Sequence, residues 1–244
     1  MENYSYDGIF LGCLTLTITA IFELFNKNSA SKIINEQGIS LYINAWQLST
    51  LNSIFYGPII YFYVTNNFID NYTNHNYIAN IFNINGLLII HSFCYYIAHI
   101  IMHYKYFFFM HEFHHKFSNN VSPVIAMSVS IYEYLFAYML PFIVGSYIFN
   151  PNTLELNSAA SVVSVFNIII HTPSLENIKY YKFFVSPYQH LKHHKIMTKH
   201  FSAPTYNLDY ICNIFFKKKS CNISIKSDVN DKLNNVRIPK SIKI

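Results

Sequence analysis

Apolar positions along the chain gather into long runs divided by short polar connections, with no sustained alternation of the kind that marks half-buried strands. The first run, about Ile9 to Phe25, follows Glu2 and Asp7 instead of a basic segment and has no small-residue cleavage site after it, so it reads as a retained helix and not a signal peptide. A polar connection holding Lys27 and Lys32 continues to about Asn44. The second run, about Ala45 to Val64, is broken by Gly57-Pro58, and its length allows a crossing or a kinked re-entrant hairpin. After an Asn-rich loop with Asp70 and the weak sequon Asn71-Tyr72-Thr73, the third run, about Tyr77 to Ala98, leads straight into His99. The fourth, about Val124 to Phe149, is kinked at Pro141. A turn with Pro151 and Glu155 then leads into the fifth, about Leu156 to His171. These runs predict an all-α, polytopic membrane helix bundle of four to five membrane segments.

Composition supports this fold class. Hydrophobic residues make up 52% of the chain and charged residues 12%, about half the charged share of a soluble domain. Arg237 is the sole arginine, and Asn, Ile, Tyr, Phe and Lys are abundant in the manner of an AT-rich coding sequence, so strand propensity carries little weight here. Cys13, Cys94, Cys212 and Cys221 have no C-x-x-C spacing, and the first two read as packing residues. Lysine and arginine collect on the cytoplasmic side of membranes. With five crossings and an external N-terminus, all 17 basic residues fall on one side: Lys27 and Lys32, Lys105 and Lys116, and the remainder from Lys179 onward. The expected domains are 1–76, N-terminal membrane segments and connections; 77–216, the region that carries most of the histidines; and 217–244, a basic tail, with disorder expected beyond Asp228. The tail begins with Lys217, Lys218 and Lys219 after the apolar stretch from Tyr210 to Phe216. There is no internal repeat, phosphate loop or nucleotide fingerprint, and no nucleic-acid partner is expected.

Candidate chemistry lies in the histidines. His99 and His103 are followed by His111, His114 and His115, and far downstream by His190, His193 and His194. Positions four apart share a helix face and positions three apart lie close beside it, so each cluster is expected to aim its imidazoles at one point. Two copies of H-x-x-H-H arise by accident in on the order of one such chain in a thousand. Neutral imidazole binds iron, zinc and copper. Eight such ligands exceed one tetrahedral ion and suit two metals with open positions, as a catalytic centre requires. The hairpin of the fourth and fifth runs returns the third cluster to the first two, and the charge pattern puts all three on the cytoplasmic side. His91 reads as a hydrogen-bonded histidine inside the bundle, His75 as surface, and His200 as either a neighbour of the metal ligands or a ligand itself. The aromatics from Tyr104 to Phe109 read as interface anchors.

The order H-x3-H, H-x2-H-H, a membrane hairpin, then H-x2-H-H resembles the fatty acid hydroxylase and sterol desaturase superfamily of membrane di-iron oxygenases, over about Leu87 to Phe216. His171, at the end of Asn167-Ile-Ile-Ile-His171, sits where that family has a further ligand. His200-Phe201-Ser202 followed by Leu208-Asp209 looks like the family's stretch after its third cluster, and Glu133 falls where a related H-P-x-E element places its acid. In three places the chain departs from the pattern. Asn167 stands where some fatty acid 2-hydroxylases have histidine, Ser130 replaces the histidine of H-P-x-E, and the closing F-G-T is absent. The resemblance implies two iron ions held by His99, His103, His111, His114, His115, His171, His190, His193 and His194, with the eight clustered histidines catalytic. Glu112, Glu133, Glu176 and Asp209 are candidates to orient imidazoles. It further implies O2 as co-substrate, a sterol or fatty acyl lipid as substrate, hydroxylation, further oxidation or desaturation as the reaction, and an external donor of the cytochrome b5/reductase type. The endoplasmic reticulum is the expected membrane. The alternatives are a histidine-based metal-binding or transport protein, disfavoured because the spans carry few polar residues besides Glu133 and His91, and a non-catalytic relative.

Overall fold

The computed structural model describes residues 4–69 and 75–216. The Asp70 loop with its sequon and the tail from Lys217 to Ile244, for which disorder was expected in part, lie outside the described residues. Within them the chain is helical, with no named strand and one isolated bridge between Phe184 and Tyr206. The helices are α1 (Tyr4–Phe25), α2 (Lys27–Gln37), α3 (Ile39–Thr50), α4 (Gly57–Phe68), α5 (Tyr77–Met102), α6 (Glu112–His115), α7 (Ile131–Glu133), α8 (Leu140–Phe149), α9 (Thr153–Ile170), α10 (Pro187–Ile196) and α11 (Leu208–Phe216).

Among the described residues, four stretches are long and apolar enough to cross a membrane: Tyr6–Phe25, Tyr77–Met102, Ile131–Phe149 and Thr153–Ile170. Their outward faces carry Phe10, Ile21, Phe82, Phe93 and Tyr147, all exposed, as suits contact with lipid tails. Cys13 is also exposed, so it faces outward instead of packing inside. The second apolar run is no hairpin. α3 and α4 join through the π-helical turn Leu51–Tyr56, making one rod from Ile39 to Phe68, about 45 Å long at 1.5 Å per residue. A second π turn, Tyr134–Met139, joins α7 to α8. Each π turn lies just before a proline, Pro58 or Pro141. Proline donates no N–H and its ring crowds the carbonyl one turn back, so the wider turn accommodates it without breaking the helix.

α1 runs antiparallel to this rod. Gly8 lies against Pro58 and Tyr61, and a Cβ at Gly12 would collide with the Ser53 carbonyl oxygen, so the two backbones touch there. α5 is the central helix and packs on both α8 and α9. It starts with Asn76 accepting from Ala79 N–H and spans about 39 Å, more than the ~30 Å hydrocarbon core, so its last turn carries His99 to the bundle's end. α9 begins in a capping box of Asn152 and Glu155. The buried Glu155 also meets His75 Nδ1 at 2.9 Å and accepts from Asn83, so His75 is hydrogen-bonded into the far end of the bundle and is not plain surface. The exposed Tyr104, Tyr106, Phe107 and Phe109 follow α5 at the histidine end.

Candidate metal centre

Nine buried histidines meet where α5, α6, α9 and α10 end or turn, and they divide into two groups. His99, His103, His111, His115 and His193 form one, and His114, His171, His190 and His194 the other; within each, one ring nitrogen per residue lies within 4.8 Å of all the rest. The division cuts across the sequence clusters. His111 and His115, four apart on α6 and its cap, share the first group while His114 turns to the second. On α10, His190 and His194 share the second while His193 turns to the first. At 100° per residue, four steps leave a residue 40° from its starting direction, whereas neighbours diverge by 100°. An H-x-x-H-H segment therefore serves two centres instead of aiming at one point.

Backbone carbonyls fix the rings. His99 Nδ1 donates to Phe201 O at 2.8 Å, His193 Nδ1 to Lys199 O at 2.8 Å, and His171 Nδ1 to Asn167 O at 2.7 Å. A carbonyl only accepts, so each Nδ1 holds the proton of a neutral ring and each Nε2 presents a lone pair. Burial keeps these rings neutral: it lowers His171 to about 4 and holds His193 and His190 well below the usual imidazole range. The free Nε2 atoms then crowd together. His99 Nε2 lies 3.0 Å from His111 Nε2 and 3.3 Å from His103 Nε2, and His171 Nε2 lies 2.9 Å from His190 Nε2 and 3.2 Å from His114 Nε2. His115 Nε2 stands 3.0 Å from His111 Nε2 and His103 Nε2 3.2 Å from His193 Nε2. Nδ1 of His114 and His190 and both ring nitrogens of His194 have no protein partner. His99, His193 and His171 turn Nε2 lone pairs into a dry site crowded with further imidazole nitrogens, and such a set of neutral donors can share a cation, so the donor set fits metal binding.

Glu133, fully buried at the end of the three-residue α7, is placed by Ser130, whose Oγ accepts from Glu133 N–H and donates to Met110 O. Its Oε2 lies 2.8 Å from His111 Nδ1, though not on the line of an ideal N–H···O bond. Of the four carboxylates expected beside imidazoles, this one makes such a contact. Asp209 instead accepts from Ser202 N–H and Oγ–H, holding the strand of chain that carries Phe201 O, while Glu112 is exposed and Glu176 is partly exposed. His91 is buried against Tyr95, Tyr138 and Phe142 and belongs to neither group. His200 also belongs to neither. With φ 62° it forms the left-handed turn that lets the carbonyls on either side of it, Lys199 O and Phe201 O, reach two different histidines, His193 and His99. Those carbonyls had no signal in the sequence, because every residue carries one.

No curated protein and no solved structure matches the chain. The family model described as fatty acid hydroxylase matches residues 84–214, more than half of the chain and the span that holds all nine histidines. That family implies a membrane oxygenase acting on lipids, hence an oxidoreductase, and its metal dependence agrees with the histidine groups. On this match and the sequence order of its histidines, the chain belongs to the fatty acid hydroxylase family.

Proposed function

We propose that the protein is an integral membrane di-iron oxygenase that hydroxylates, further oxidises or desaturates a lipid, a sterol or a fatty acyl chain. The observation that carries this is the sorting of nine buried neutral histidines into two adjacent groups at one end of an apolar bundle. His99, His103, His111, His115 and His193 would hold one iron, and His114, His171, His190 and His194 the other. Iron bound there supplies the oxidising equivalents drawn from O2 that an unactivated C–H bond requires. Hydroxylation balances as one C–H and one O2, with two electrons and two protons from an external donor of the cytochrome b5/reductase type, giving C–OH and water.

The chain's residues supply position and surroundings. Lys199, Phe201 and Asn167 carbonyls hold three rings in the tautomer that leaves Nε2 free for metal, and Glu133 places a carboxyl group behind His111. The apolar bundle excludes water and holds the lipid beside the histidines, making the reaction largely one of positioning. On this reading 77–216 is the catalytic region, 1–76 an N-terminal membrane portion and 217–244 a basic tail, with the histidine end and C-terminus cytoplasmic at the endoplasmic reticulum. The test is metal analysis of the purified protein together with lipid profiles of cells expressing wild type or His193→Ala. Two irons per chain, and an O2-dependent oxidised lipid that the variant loses while still folded, are expected. Bound zinc with no oxidised lipid would overturn the proposal.

A further inference from the structure

A cavity of about 760 Å³, counted with its open mouth, lies between α1, the π turn and α4, α8 and α9. Its α9 wall is Leu156, Ala160, Val163, Ser164 and Asn167, one helix face by spacing. From Leu156 to Asn167 this wall rises about 16 Å. That is about half of a ~30 Å hydrocarbon core, the depth of one lipid tail. The far portion is apolar, and Asn167 stands at the histidine end, one turn and about 6 Å before His171. Much of the opposing lining, including Gly12, Ser53 and Val64, precedes residue 84 and so lies outside the family match.

Asn167 is 1% exposed. Its Nδ2 donates to Ala126 O at 2.7 Å and to Tyr138 Oη at 3.2 Å, which fixes the amide's orientation, since a carbonyl must face the NH2 side. Oδ1 is left with no protein partner, and so is Ser53 Oγ in the same lining. A buried amide oxygen without a donor is disfavoured unless something else supplies one. We propose that Asn167 Oδ1 receives a hydrogen bond from the lipid substrate. The substrate then carries a hydroxyl or amide N–H a few bonds from the oxidised carbon, and its tail runs along α9 away from the histidines. Asn167 is on this view a specificity-determining residue, and the inference rests on the oxygenase reading above.

The test uses the full-length protein as purified with its metal, in detergent, and compares 1-hexadecanol, hexadecanamide and hexadecyl methyl ether by the probe concentration that half-saturates thermal stabilisation. The alcohol or the amide should bind wild type about tenfold tighter than the ether, the effect of one buried hydrogen bond. Preference for one of the two donors assigns which group the substrate carries. Asn167→Leu should abolish the preference with ether affinity within about twofold of wild type. Asn167→Asp, which as a protonated acid still donates to Ala126 O and keeps an acceptor, should retain it. Equal binding of all three probes by wild type, a comparison that needs no variant to fold, would overturn the inference, as would a preference that survives in Asn167→Leu. An iron-loaded protein that oxidises lipid without this preference defeats the inference alone; a protein without iron or turnover defeats the oxygenase reading.

Discussion

Replacing Glu133 by glutamine keeps the side chain's shape and exchanges a carboxyl for an amide, and its effect should fall on one histidine group. Glu133 Oε2 is 2.8 Å from His111 Nδ1, off the line of an ideal hydrogen bond, and the side chain is fully buried, so no solvent weakens what the carboxyl does to that ring. His111 belongs to the group with His99, His103, His115 and His193. Changing the partner behind a metal-bound imidazole costs about tenfold to a hundredfold in metal affinity, and because this contact lies off the hydrogen-bond line the low end, about tenfold or ~1.4 kcal/mol, is expected. The assay is metal per chain after dialysis against graded chelator. One metal ion should leave Glu133→Gln at about a tenth of the chelator concentration that wild type needs, with the second retained as in wild type. Equal weakening of both ions, or retention identical to wild type, would refute the assignment of Glu133 as the carboxyl that supports the first group.

Other consequences follow from single contacts. Gly12→Ala puts a methyl group into the Ser53 carbonyl and must push α1 off the π turn, at a cost of about 1–3 kcal/mol, visible as a lower melting temperature in micelles; unchanged melting would mean the two backbones are not in contact. His200→Gly places the residue that tolerates φ 62° best, so stability should stay within about 1 kcal/mol of wild type and metal content should be unchanged; loss of metal would make His200 a ligand after all. In metal-free protein, burial lowers His171 to about 4, so between its unfolded value near 6.5 and pH 4 the unfolded chain binds more protons than the folded one. Stability should therefore be full above about pH 6.5 and fall as pH drops towards 4, and chemical denaturation across that window measures it; a flat profile would contradict the buried neutral ring.

The features that the sequence made legible are those written in residue type and spacing. Long apolar runs gave the helices, and i, i+4 histidines gave the pairs that share a group. Other features depend on shape and could not be read so. Gly57-Pro58 looked like a break because proline usually ends a helix, but a π turn absorbed it and left a continuous rod from Ile39 to Phe68. His75 looked like surface because its loop is polar, yet Glu155, 80 positions away, closes on it. The carbonyls of Lys199 and Phe201 leave no mark in a sequence at all. Asn167 could be noticed only as a departure from a pattern; its role follows from which of its two polar atoms the fold leaves without a partner.

The splitting of H-x-x-H-H between groups has a consequence for how the centre is built. His114 and His115 are consecutive on α6, and His193 and His194 consecutive on α10, yet each pair serves both groups. Consecutive Cα atoms are about 3.8 Å apart by covalent geometry. The spacing of the two groups is thus set by backbone bonds within two short helices, and bundle motions that slide α5 against α9 cannot change it freely. His99 in the last turn of α5 and His103 at its cap then complete the first group, and His171 at the cap of α9 completes the second. A centre so arranged keeps its two positions in register while the α1, α4, α8 and α9 walls of the cavity vary. Changes confined to those walls should alter which lipid fits before they alter the metal site.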